Sequence, residues 1–169
     1  LSVQALDDVI LKRMKRRHLR SDVEDVITRA RKARPDVVFG ADLIAGFPTE
    51  TDDQFYNTLR GVRELGLTHL HVFPYSERIG TPAARMPTIP ITERRDRAKL
   101  LRELGKTALN SYLASCVGQN VTALIEDNGQ GLSEHYAHVK VTGETQPGEI
   151  QSVTLTGVGD GYLIGVTSS

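Results

Sequence analysis

Apolar positions change period along the chain. Leu6, Val9, Ile10 and Met14 fall at helical spacing and predict a short amphipathic helix after a strand-like Leu1–Gln4. Ser21-Asp22-Val23-Glu24 has the form of a capping box, which predicts a second helix capped by Ser21. That helix would bury Val23, Val26, Ile27 and Ala30 and stop before Pro35. Val37–Ile44 is apolar on both faces, as a parallel strand covered on both sides should be. Thr51 and Gln54 form a second capping box. The helix it opens is lined by Phe55, Leu59, Val62 and Leu65 and closed by Gly66. Leu67–Tyr75 is the next strand, so the order predicts right-handed parallel crossovers. Past a Gly- and Pro-rich loop, Thr92 caps a long helix reaching Cys116, with Ala98, Leu101, Leu104, Ala108 and Tyr112 on its inner stripe.

After Gly118 the period becomes two. Val121, Ala123 and Ile125 alternate with polar residues, as do Val139 with Val141 and Val153 with Leu155. Short strands punctuated by glycine predict a small antiparallel barrel. The expected fold is thus α/β over 1–116, followed by a small all-β barrel over 117–169.

Charge supports that division. Net charge is zero overall, but residues 1–116 carry +5 and the remainder −5. The basic excess is densest at Lys12, Arg13, Lys15, Arg16, Arg17 and Arg20. The single cysteine, Cys116, excludes an internal disulfide and predicts a cytoplasmic protein. No run is long enough to span a membrane, and no signal peptide is read. Strand-like sequence from Leu1 predicts a piece of a longer protein.

Two segments are candidates for chemistry: Gly40–Glu50 and His69–Ser76. Each is an apolar run ending in Gly, Pro and polar residues, and ligands sit at that end of parallel strands. Asp42 is either a brace for the following loop or a ligand contact. Gly46 permits close backbone approach. His69 and His71 share a strand face; His69 reads as packed, while His71 lies nearer the mouth. The basic run is a solvated face or a phosphate contact, and Arg17 or Arg20 could point into the site towards a carboxylate. Arg78 and Arg85 are further candidates. In the barrel, His135, Tyr136 and His138 are placed on a strand, either stacking on bases or packing the barrel.

Four blocks carry a resemblance. They are Leu11–Arg17, Asp42–Glu50, His71–Ser76 and Gly80–Pro87. Together they resemble the radical S-adenosylmethionine (SAM) methylthiotransferases, and within them the MtaB branch, which acts on threonylcarbamoyladenosine beside the tRNA anticodon. The resemblance implies a partial (β/α) barrel of the radical SAM type followed by a TRAM-like barrel. It implies SAM and two 4Fe-4S clusters in a longer parent. This chain lacks the CxxxCxxC motif, so it is expected to bind no cofactor and to be inactive alone. Gln4, Arg17 and Asp42 would form a SAM wall with Gly46, and Ile44 and Phe73 would pack on its adenine. No catalytic residue and no metal ligand is assigned.

tRNA is the implied partner, with Arg78, Arg85, His135, Tyr136 and Lys140 as RNA contacts. An open strand edge at Leu1–Gln4 predicts self-association. The competing readings are a stand-alone RNA-binding module and a fragment of a ribosomal-protein methylthiotransferase or porphyrinogen oxidase.

Overall fold

The computed structural model describes residues 1–167 as two compact units, 1–108 and from Leu109 onward. In the first unit, α1 (Asp8–Arg13) and α2 (Arg20–Ala33) precede β1 (Phe39–Ala45), α3 (Asp52–Glu64) and β2 (Leu67–Pro74). A 3-10 turn, Ala83–Arg85, leads to α4 (Ile91–Cys116), which crosses the division between the units.

β1 and β2 form a parallel two-stranded sheet, with Asp42 opposite His71 and Ile44 opposite Phe73. One face of the sheet, through Ala41, Leu43, Ala45 and Val72, packs on Val23 and Ile27 of α2, Phe55, Leu59 and Val62 of α3, and Ala98 and Leu101 of α4. Gly61 on α3 admits Leu6: a Cβ there would lie 2.8 Å from its Cδ1. Thr51 caps α3 as read from sequence, accepting from the Gln54 amide while Gln54 accepts from the Thr51 amide.

Several expectations need correction. Leu1–Gln4 runs beside β1 but makes only one parallel bridge, Gln4 with Leu43. Gln4 has φ of +68°, and the Ala5 amide donates to Val3 at 2.9 Å, a γ-turn that ends the strand at once. α2 begins at Arg20, not after Ser21. Asp22 accepts from the Leu19 amide at 2.7 Å, so it is this carboxylate that closes the first turn. Val26 faces outward. α4 starts before Thr92, since the Arg94 amide already donates to Pro90 at 3.1 Å. The units divide inside α4 because Leu109, Tyr112, Leu113 and Cys116 pack with the barrel core.

The second unit is a closed barrel of β3 (Asn120–Ile125), β4 (Gln130–Ser133), β5 (His138–Thr142), β6 (Ile150–Val158) and β7 (Leu163–Thr167). The strand order is β3-β4-β5-β7-β6, and β5 with β7 is its one parallel pair. Val121, Ala123, Ile125, Val139, Val141, Val153 and Leu155 point inward, matching the period-two reading. β4 and β7 were not read from sequence; β4 is four residues long and carries Gly131. His135 and Tyr136 sit in the β4–β5 turn rather than on a strand, with Tyr136 at φ of +60°.

Candidate functional site

The second face of the β1–β2 sheet carries the chemistry. Asp42, Ile44, His71 and Phe73 alternate with the core residues and so project together from neighbouring strands. Asp42 accepts from the Ser2 hydroxyl at 3.1 Å and lies 3.2 Å from His71 Nδ1. Asp42 is thus held by the segment before α1 and by β2, and it does not brace the loop that follows β1.

At the carboxyl ends of these strands lies a pocket of about 840 Å³. Its apolar wall comes from Met14, Ile44, Phe47, Phe73, Tyr75 and Ala83. Gln4, Asp42, Ser76 and Thr81 add polar groups. Arg13, Lys15, Arg16 and Arg78 make the lining strongly cationic against one carboxylate. The floor rests on a small core of Ala5, Ile10, Leu11, Phe47 and Tyr75. Within it Phe47 and Tyr75 meet edge to face, with centroids 5.3 Å apart.

Of the residues expected at a SAM wall, Gln4, Asp42, Ile44 and Phe73 line this pocket, and Arg17 and Gly46 do not. The turn after α1 explains Arg17. Lys15 takes φ of +60° and the Arg16 amide returns to Leu11, which brings Lys15 and Arg16 into the lining and leaves Arg17 outside it. Gly46, at φ of +73°, faces α4: a Cβ there would lie 2.6 Å from Arg94 Cγ. Among the expected RNA contacts, Arg78 lines the pocket, while Arg85 is exposed outside it. On the barrel, Tyr136 is 73% exposed and Lys140 lies over the Tyr162 ring at 5.6 Å. His135 is half-buried in the turn, and His138 is exposed at the start of β5.

Sequence reading missed the groups that hold the pocket loops. Arg97 is buried and bonds the Glu50 carboxylate at 2.8 Å and the Glu50 carbonyl at 2.9 Å, with Asp52 and Glu93 also on its guanidinium. Glu50 in turn accepts from the Gly46 amide at 2.9 Å. Burial pushes the Glu50 carboxyl above its ordinary range, and Arg97 and the Gly46 amide pull it back. One turn away, buried Arg94 donates to the carbonyls of Ile89 (2.6 Å) and Tyr75 (3.1 Å) and to the Thr88 hydroxyl (2.6 Å). Arg13 reaches the Thr49 carbonyl at 3.1 Å. The one available signal was Glu93-Arg94-Arg95-Asp96-Arg97, a charged run on the first turn of a helix whose next residue is core.

The donor set fits part of what the resemblance implies. An apolar wall with a few polar groups suits a nucleoside. Iron–sulfur clusters need thiolates, and Cys116 is buried in the barrel core. Among the described residues no group of three or more His, Cys, Asp or Glu could hold a metal. These residues therefore fit the nucleoside of SAM and do not supply cluster ligands. No helix among the described residues is long and apolar enough to cross a membrane.

The Radical SAM superfamily model matches residues 1–62. Threonylcarbamoyladenosine tRNA methylthiotransferase MtaB of Rickettsia prowazekii is 49% identical over 163 residues, 96% of this chain and 39% of that protein. A probable threonylcarbamoyladenosine tRNA methylthiotransferase of Methanocaldococcus jannaschii is 37% identical over 92% of this chain and 36% of its own length. A tRNA-2-methylthio-N(6)-dimethylallyladenosine synthase of Bartonella bacilliformis is 33% identical over 98% of this chain and 38% of its own length. The chain thus spans about two fifths of the length of the curated relatives it matches. Residues 1–62 thus match the radical S-adenosylmethionine superfamily, and nearly the whole chain is homologous to part of the tRNA methylthiotransferases.

Proposed function

We propose that this chain supplies part of the SAM and substrate wall, together with an RNA-binding barrel, of a tRNA methylthiotransferase acting on threonylcarbamoyladenosine in the cytoplasm. The observation that carries this reading is the 49% identity to a protein of that name across nearly the whole chain, pocket loops included. The pocket at the ends of β1 and β2 supports it: Ile44 and Phe73 offer a flat apolar wall for a nucleoside, and Gln4 and Asp42 offer acceptors beside it. SAM, held with a cluster whose ligands lie outside this chain's residues, would supply the radical that opens the substrate to sulfur transfer. The chain's own residues bind, orient and keep water from that centre. Buried Arg94 and Arg97 fix the two loops that shape the wall, and such bracing keeps reacting groups aligned.

The barrel over 117–169 is read as TRAM-like. A five-stranded closed barrel of this kind is a recurrent oligonucleotide binder. Exposed Tyr136 and the Lys140–Tyr162 pair offer stacking and charge. A depression of about 520 Å³ elsewhere on the barrel carries Glu126 and Asp127 and would repel phosphates, so RNA contact is assigned to the Tyr136 and Lys140 residues.

The test is nucleoside mass spectrometry of tRNA from a strain lacking the gene. Loss of the methylthio form of threonylcarbamoyladenosine, restored by the intact gene, is expected. Loss of the methylthio-dimethylallyl nucleoside instead would favour the relatives at 33–36% identity. Unchanged methylthio-nucleosides would overturn the reading.

A further inference from the structure

Four cations line the pocket, and their partners differ. Arg13 is tied to the Thr49 carbonyl. The side chains of Lys15, Arg16 and Arg78 meet neither a carboxylate nor any hydrogen-bond acceptor among the described residues. The one carboxylate of the lining, Asp42, is already engaged by Ser2 and His71. A second observation stands beside this excess. Tyr75 lines the same pocket, is 9% exposed, and its buried hydroxyl has no hydrogen-bond partner. A buried hydroxyl without a partner is costly, and unpaired guanidinium groups in a concavity attract an anion.

We propose that Arg16 and Arg78, with the Tyr75 hydroxyl, recognise a carboxylate carried by the substituent on the substrate adenosine, and so select a threonylcarbamoyl over a dimethylallyl group. The inference rests on the function proposed above and deepens it. A threonylcarbamoyl group ends in a carboxylate and a hydroxyl; a dimethylallyl group is hydrocarbon. Guanidinium groups match a carboxylate with two parallel hydrogen bonds. The same cations reject the hydrocarbon, because seating it would strip their water and return nothing. RNA phosphate is the other anion available. Lys12, Arg17 and Arg85 are exposed, as Arg16 and Arg78 are, but they lie outside the lining, which suits them to phosphate contact. Arg16 and Arg78 instead share a concave site with the apolar wall where a base would rest.

The experiment uses the full-length protein, loaded with its clusters, and the variants Arg16→Ala, Arg78→Ala, their double, and Arg78→Lys. Binding is measured to anticodon stem-loops identical except at one adenosine, which is threonylcarbamoylated, dimethylallylated or unmodified. The double variant is expected to lose about tenfold or more in affinity for the threonylcarbamoyl RNA. Its affinity for the unmodified RNA should change by less than about threefold, and Arg78→Lys should recover part of the loss. Equal losses on all three RNAs would assign the cations to phosphate and overturn the proposal, as would unchanged binding. A fall in SAM affinity alone would assign them to the SAM carboxylate and also overturn it. If the unaltered protein shows no preference for the threonylcarbamoyl RNA, the proposed function itself fails. If it shows that preference and the double variant keeps it, only this inference fails.

Discussion

Among the described residues, all but Ser133 of the buried polar and charged side chains lie in the first unit, and these include Gln4, Glu50, Arg94 and Arg97. The barrel keeps almost none because it has little use for them. Its strands pair round a closed ring, so nearly every inward-facing stretch satisfies its own backbone. The first unit has two paired strands and long loops leaving their ends. Those loops have no ladder, and their carbonyls are met by side chains instead: Arg97 at Glu50, Arg94 at Tyr75 and Ile89, Arg13 at Thr49. The contrast teaches where buried charge belongs. It gathers where a loop must hold one shape to build a site, and it is absent where regular pairing already fixes the chain.

The sharpest test of that contrast is Arg97→Ala. It strands a Glu50 carboxylate that is 1% exposed, and losing one partner of such a pair removes about 3–5 kcal/mol. Hydrogen exchange should show lost protection in β1, α3 and the loop between them, with barrel amides unchanged. Equal loss in the barrel would break the comparison. Next comes Gly46→Ala, which places a methyl against Arg94 in a left-handed backbone and should destabilise the same unit by about 2–4 kcal/mol. A thermal shift no larger than that of an exposed control such as Tyr56→Ala would remove Gly46 from the brace.

In the barrel, Ser133→Ala strips the acceptor from the buried Ala137 amide, 3.1 Å away. About 1–2 kcal/mol should be lost, seen as faster exchange confined to the β4–β5 turn. The smallest effect is a pH slope. Burial raises the Glu50 carboxyl, so the folded state holds its proton more tightly than the unfolded chain does. Its titration therefore contributes stability fully below the ordinary value of 4.5, and that contribution is lost as pH rises through the higher folded value. Glu50→Gln should remove this part of the slope in thermal unfolding followed upward from pH 4. An unchanged slope would mean another group titrates there.

Much of the frame was legible in the sequence. Thr51 with Gln54, the apolar run into Ala45 and the period-two positions of the barrel each state one local preference that packing agrees with. What was not legible depends on backbone turns that no periodicity reports. Gln4 looks extended until its γ-turn appears. Lys15 looks helical, yet its left-handed conformation decides that Arg16 and not Arg17 meets the pocket. Arg94 and Arg97 look like solvent-facing charges, because a hydrophobic stripe is read by finding apolar residues and theirs is a buried face built from guanidinium groups. Tyr136 looks like a strand position because it is interleaved with polar residues, whereas the chain reverses there.

Cys116 is the one thiol in the sequence. It is packed among barrel residues, with its sulfur 3.4 Å from the Tyr112 carbonyl. A small alkylating reagent can reach it only when that packing opens. The labelling rate of the unmodified protein therefore times the opening of one unit alone, and no dye or engineered tryptophan is needed. A substitution in the pocket that left this clock unchanged would be known at once to act locally.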